Sequence, residues 1–182
     1  MINLSKQQTD AAQEFATATI ETFKLPNGVH PGTVVAATAR MAGTYLFRSF
    51  GLELPGVQPG QPVLSNEANE QWPLLTQITG DCLVRIGIKI DNAQAGKEVH
   101  PKDKPMLEFL ETQKKLESIY KPIKERYSFS YQEAAYSVAV GTALMILHAA
   151  KFLDPNDAFN IAVYGFVKGA KTAPEPVNIP SG

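Results

Sequence analysis

The apolar residues of this chain recur at the three- and four-residue spacing of amphipathic helices, which predicts a mostly helical protein. The first helix begins after Ser5 and ends at the stretch LPNG. The second begins at Pro31, since proline is favoured at the first position of a helix, and it runs to Gly51. A loop at 52–65, rich in proline and glycine, then leads to a third helical segment at 66–92.

The end of the third segment carries two conflicting patterns. Residues 84–90 alternate between apolar and polar as in a β-strand, whereas the segment as a whole keeps helical spacing. Because the segment is much longer than an average strand, we expect a helix over its whole length, bent near Gly80 or Gly87.

Two further helices follow a polar loop. The fourth begins near Lys104, and Pro122 is expected to kink it or to end its regular part. Its buried stripe is expected to contain Leu107, Leu110, Leu116 and Ile119. The fifth begins at Ser130, which forms a capping box with Glu133. Because residues 134–150 are apolar on nearly every side, this helix is predicted to lie buried at the centre of the fold.

The sixth helix begins where Asp154 supplies the cap and Pro155 the first helical position, and it ends near Lys171. The tail 172–182 has three prolines and no helical periodicity, so it is predicted to be extended or disordered. The expected architecture is therefore all-α, with a single domain of about six helices over residues 1–171.

Small residues form a second pattern on two of these helices. They are Ala36, Ala39 and Gly43 on the second helix, and Ala158, Ala162, Gly165 and Gly169 on the sixth. Each glycine inside a helix costs about 1 kcal/mol relative to alanine, and small side chains let helix backbones approach closely. We expect these two faces to pack together within one chain, with a twofold dimer as the alternative.

Composition restricts the classes of partner. The chain has 182 residues, of which 44% are hydrophobic and 19% charged, as is typical of a folded domain. Its net charge is -1, so it lacks the basic excess of nucleic-acid-binding proteins. The N-terminus has no signal-peptide pattern, and the most apolar run is too short to span a bilayer. We expect a cytoplasmic protein with neither a nucleic-acid nor a membrane partner.

The sequence contains no recognised motif for metal or catalytic chemistry. It has no H-E-x-x-H zinc pattern, no phosphate-binding loop and no G-x-S-x-G nucleophile motif. Cys82, the only cysteine, lies on an apolar stripe and is expected to be a small buried residue rather than a nucleophile. His30 and His100 each precede a proline and are expected at helix entries. No metal and no cofactor are therefore predicted.

Polar residues on apolar helices are the candidates for a ligand site. Ser137 and His148 share one face of the fifth helix, and Tyr136 lies beside them. A pocket between helices that contained these residues could bind a small ligand, with Arg40 as the anchor of its acid group. Asp81 completes the candidate set. The alternatives are a core His148 bonded to a carbonyl and an Arg40 whose head extends into water.

An Arg40 that points inward would need a carboxylate from another segment, for which Asp81 and Glu133 are the candidates. The same carboxylates could serve an enzyme in which His148 acts as general acid or base.

Three functions are compatible with these observations. The first is a non-enzymatic protein-interaction or regulatory module that contacts a protein partner or a second copy of itself, with loop 52–65 and the tail as natural contact segments. The second is a binder of a small acidic or apolar ligand, and the third is the His148 enzyme.

Overall fold

The structure is a computed structural model that describes residues 4–176. This part of the chain contains six α-helices, which are α1 (Lys6–Phe23), α2 (Pro31–Ser49), α3 (Asn66–Arg85), α4 (Phe109–Arg126), α5 (Tyr131–Ala149) and α6 (Pro155–Ala170). Two short 3-10 turns, Asn92–Gln94 and Pro101–Asp103, lie between α3 and α4. The helices pack around a shared core, and the prediction of an all-α single domain is confirmed.

The helices begin where the capping residues predict. Ser130 and Glu133 form the capping box of α5. Pro31 is the first residue of α2, and His30 precedes it as the cap. The ring Nδ1 of His30 accepts a hydrogen bond from the Thr33 backbone N–H at 3.1 Å, and its Nε2–H donates to the Lys102 carbonyl at 2.9 Å. His30 therefore both starts α2 and holds the segment that precedes α4.

The third helix ends seven residues before the predicted boundary, at Arg85 rather than at residue 92. Gly87 has a φ of 84°, a left-handed conformation that a helix cannot contain. The Ile88 N–H bonds back to the Leu83 carbonyl at 2.9 Å and closes the last turn. The glycine therefore terminates α3 instead of bending it, and the alternating residues after it belong to a loop.

The fourth helix begins at Phe109, five residues after the predicted start, and it continues through Pro122 to Arg126. The residues before it are held against α2 instead of joining the helix. The buried stripe also differs from the prediction. It contains Phe109, Gln113, Leu116, Tyr120 and Ile123, whereas Ile119 is exposed.

Both α2 and α5 lie at the centre of the bundle. The predicted burial of α5 is confirmed as far as Ile146. Residues 32–47 of α2 are also all buried, because α2 packs against α5 on one side and α6 on another. α2 was not predicted to be central, since its alanine and threonine residues make it less apolar than α5.

The small-residue faces of α2 and α6 pack directly against each other. A Cβ atom added at Gly169 would lie 2.3 Å from the Arg40 carbonyl oxygen, and one added at Gly43 would lie 2.5 Å from the Phe166 carbonyl oxygen. These distances leave no room for a side chain, so the two backbones are in contact. The predicted packing within one chain is confirmed.

The helices α1, α3 and α5 run in the same direction. Near their starts, Gln8 of α1 donates to the Glu133 carbonyl of α5 at 3.5 Å, and Gln132 of α5 bonds Gln71 of α3 at 3.3 Å. Their C-terminal ends therefore lie at the same end of the bundle. None of the helices in the described range is long and apolar enough to cross a membrane.

The first part of the predicted tail is packed against the domain. Residues 172–176 form no helix, and Thr172 and Ala173 are buried. The remainder of the tail, 177–182, lies outside the described residues.

Candidate functional site

The structure does not bring the predicted site residues together in one pocket. Tyr136 and Ser137 lie near the start of α5, whereas His148 is in its last turn. Twelve residues of helix separate Tyr136 from His148, a distance of roughly 18 Å along the axis. Arg40 is in the middle of α2, and Asp81 is half-buried in α3.

Arg40 points inward, which corrects the expectation that its head lies in water. It is 7% exposed, and its Nη1 donates to the Leu107 carbonyl and, at 3.1 Å, to the Thr112 hydroxyl. Neither Asp81 nor Glu133 is a hydrogen-bond partner. Burial lowers the pKa of Arg40, although the charge of nearby Glu108 raises it in part. The Leu107 carbonyl lies outside α4, because this helix begins later in the sequence than predicted. It therefore binds Arg40 in the place of the expected carboxylate.

The second arginine of α2 also reaches α4. Arg48 donates from Nε to Glu117 at 2.7 Å, and both side chains are mostly buried. Gln113, one turn earlier on α4, donates to the same carboxylate. Both arginines of α2 therefore help to hold α2 against α4, because each forms hydrogen bonds with α4 or with the residues just before it.

Ser137, near the start of α5, forms its side-chain hydrogen bond within its own helix. The Ser137 hydroxyl donates to the Glu133 carbonyl at 3.1 Å. Burial raises the pKa of Tyr136. Glu133 lies fifteen residues before His148, roughly 22 Å away along the helix, so these two side chains do not form an acid–base pair.

His148 is exposed, which corrects both interpretations that placed it in the protein interior. Gly141 on the same face packs against Ala12 of α1, so the predicted stripe does face a neighbouring helix. At the last turn of α5, however, α1 no longer covers this face. His148 therefore borders an open groove of about 580 Å³, whose other lining residues are Thr17, Ile20, Glu21, Lys24, Asn27, Gly28, Val29, Pro31, Ala149 and Phe152.

This side of the bundle also has exposed apolar side chains. We define the apolar end as Leu25, Val84, Ile86, Met106, Leu147 and Phe152, all of them exposed. Five of them lie within four residues of the C-terminal end of α1, α3 or α5, and the sixth, Met106, borders a small cavity with Leu25. Phe152, which borders the His148 groove, is 75% exposed.

Cys82 and the metal-ligating residue types form no further site in the described part of the chain. Cys82 is half-buried, and burial raises the pKa of its thiol, which disfavours the reactive thiolate. Within residues 4–176, no group of three or more His, Cys, Asp or Glu side chains is arranged to hold a metal ion.

Sequence reasoning missed Gln113 and Phe152. Gln113 occupies a position on the buried stripe of α4, so a polar residue at apolar spacing was the available signal. Phe152 lies in a short connection without periodicity, and no pattern there predicts its exposure. Comparison of the chain with protein-family models, with curated proteins and with solved structures finds no match.

Proposed function

We propose that this protein is a non-enzymatic protein-interaction module and that a protein partner docks on the apolar end. The observation that carries the proposal is the concentration of exposed apolar side chains on one side of the bundle. Apolar surface exposed to water is energetically unfavourable, and a large exposed apolar patch is typical of sites that a partner covers.

The groove beside His148 supports this proposal through its shape and chemistry. Ile20, Val29 and Phe152 provide an apolar lining, and Lys24 and His148 provide polar groups at the same groove. A partner could insert one large apolar side chain here while polar contacts form around it, the usual arrangement of an interface hot spot.

The first measurement is the mass of the purified protein under native and then denaturing conditions. A native mass of two chains would identify a second copy as the partner. A native mass of one chain would require a different protein as the partner.

Photocrosslinking then tests the location. A photoreactive phenylalanine analogue replaces Phe152 in one variant and Tyr164 in the control, because Tyr164 is 65% exposed on α6 and is not one of the residues of the apolar end. We expect a protein adduct from position 152 and none from position 164. Adducts from both positions, or from neither, would contradict docking at the apolar end.

A small-molecule ligand is the second candidate, because the groove volume of about 580 Å³ is within the range of ligand pockets. Lys24 and His148 could bind an acid group, whereas Arg40 is not among the lining residues. Extra mass that is lost on denaturation would favour this candidate over a protein partner.

A further inference from the structure

A second site, independent of the apolar end, surrounds residues 172–176, which we call the strap. The strap follows α6 and pairs with the proline-rich loop in an antiparallel arrangement. The Gly60 N–H donates to the Ala173 carbonyl at 2.8 Å, and the Ala173 N–H donates to the Gln61 carbonyl at 2.9 Å. The two segments that the sequence suggested as contacts for a partner therefore contact each other.

The strap then reaches Gln113, which binds the backbone of a single residue. The Gln113 side chain is 1% exposed. Its Oε1 accepts from the Glu175 N–H at 3.0 Å, and its Nε2 donates to the Glu175 carbonyl at 3.3 Å. Glu175 stands between Pro174 and Pro176, and proline has no N–H. Gln113 therefore binds the only backbone N–H of this tripeptide.

Arg48 and Glu117 complete a clamp around that residue. Arg48 Nη2 donates to the Glu175 carbonyl at 2.7 Å, so this oxygen accepts from two side chains. Glu117 accepts from both Arg48 and Gln113. The Glu117 carboxylate accepts a hydrogen bond from the Gln113 amide nitrogen. This contact orients the amide group so that its oxygen faces the Glu175 N–H. The clamp is thus oriented by contacts that do not involve the strap.

The side-chain contacts define the kind of peptide that fits. Ala173 is 3% exposed, so only a small residue fits at its position. The Glu175 carboxylate lies 3.6 Å from Lys114 Nζ. Prolines on both sides of the clamped residue favour the extended polyproline conformation before binding, which lowers the entropy lost on association.

We propose that the channel formed by loop 60–63 and the clamp of Arg48, Gln113 and Glu117 is a binding site for an extended, proline-flanked acidic peptide of a partner protein, of the type Ala-Pro-Glu-Pro. The strap is the internal copy of that ligand. Because the strap is tethered to α6, it competes with an external peptide at an effective concentration of about millimolar or more.

The test uses the full chain with the substitution Ala173→Asp, which places a charge at a buried strap position and leaves every channel residue unchanged. A fluorescent peptide with the sequence of residues 171–182 is titrated against this variant and against the wild type. We expect the peptide to bind the variant at least roughly tenfold more tightly than the wild type, because the internal competitor is displaced. Adding Gln113→Leu to the variant should abolish binding.

The controls test whether the clamp itself holds the peptide. A peptide with proline at the position of Glu175 lacks the clamped N–H and should not bind. If Ala173→Asp prevents folding, the titration is repeated on the Glu175→Pro chain, which weakens the strap by removing the same N–H. A folded variant that binds no peptide at about 1 mM, or binding that survives Gln113→Leu, would overturn the proposal.

Discussion

The two central helices are buried in different ways. Residues 32–47 of α2 are covered throughout, and α6 lies so close at Gly43 that the backbones touch. α5 is covered only until its last turn, where Leu147 and His148 are exposed. Both helices are apolar, yet α2 is covered on all sides, whereas the end of α5 reaches the surface.

This difference separates structural from accessible polar groups. Arg40 lies in the enclosed part of α2, where it is bound to Thr112 of α4 and to the Leu107 carbonyl before that helix. His148 lies on the part of α5 that leaves the core, and it borders a groove. Whether a polar residue is available for binding therefore depends less on its type than on whether that part of its helix reaches the surface.

The largest loss of stability is expected from Gly169→Ala, a substitution in α6 at its contact with the enclosed helix α2. The new Cβ would lie 2.3 Å from the Arg40 carbonyl oxygen, and a backbone atom cannot move aside as a side chain can. We expect a loss of about 3 kcal/mol in the free energy of unfolding, measured by urea denaturation. Gly80→Ala is the matched control, since its Cβ would have its nearest neighbour at 3.9 Å. It should stabilise by up to about 1 kcal/mol. Equal effects of the two substitutions would contradict the backbone contact between α2 and α6.

The corresponding change in α5 is Gly141→Ala. Its Cβ would lie 3.0 Å from the Ala12 carbonyl oxygen, a tight contact that a small shift of α1 can relieve. The gain in helix propensity offsets part of the strain, so we expect a net loss of about 1 kcal/mol. Thermal and urea unfolding measure the effect. Stabilisation as large as that of Gly80→Ala would show that α1 does not pack closely on α5.

Much of the fold was predictable because its signals are local. The capping box of Ser130 and Glu133 and the entry of Pro31 are set by neighbouring residues, and the structure has both. The end of α3 was not predictable in the same way. Gly87 was recognised as a weak point, but whether it bends or ends a helix depends on the loop that follows and its contacts with α6.

The candidate sites depended on contacts between segments far apart in sequence, and these could not be derived from spacing. Arg40 meets Leu107 only because α4 begins late, which leaves that carbonyl outside a helix. The clamp at Gln113 requires the strap to return across α4. Helical periodicity identifies the buried face of α4, but it does not say which segment covers it.

The capping interaction between Ser130 and Glu133 at the start of α5 can be tested through its dependence on pH. Hydrogen bonds from the Ser130 backbone and hydroxyl lower the pKa of Glu133. A lowered pKa in the folded state means that the contribution is fully present above the unfolded value of about 4.3 and is lost as the pH falls through the folded value. Glu133→Gln keeps the amide oxygen as an acceptor but removes the charge at the helix start. We expect a loss of about 0.5 kcal/mol at pH 7, which disappears in unfolding measurements as the pH falls through the folded-state pKa of Glu133. A loss that stays constant with pH would contradict the charged cap.

The smallest effect on stability is expected at the place where α5 emerges. His148 is exposed, so His148→Ala should change the free energy of unfolding by no more than about 0.5 kcal/mol. If the groove is the docking site, the same substitution should nevertheless weaken the crosslink from position 152, because the ring borders the groove beside Phe152. The exposed Lys6, at the opposite end of α1, provides a control in Lys6→Ala, which should alter neither quantity. A large loss of stability in His148→Ala would mean that this last turn belongs to the core after all, and the contrast with α2 would then disappear.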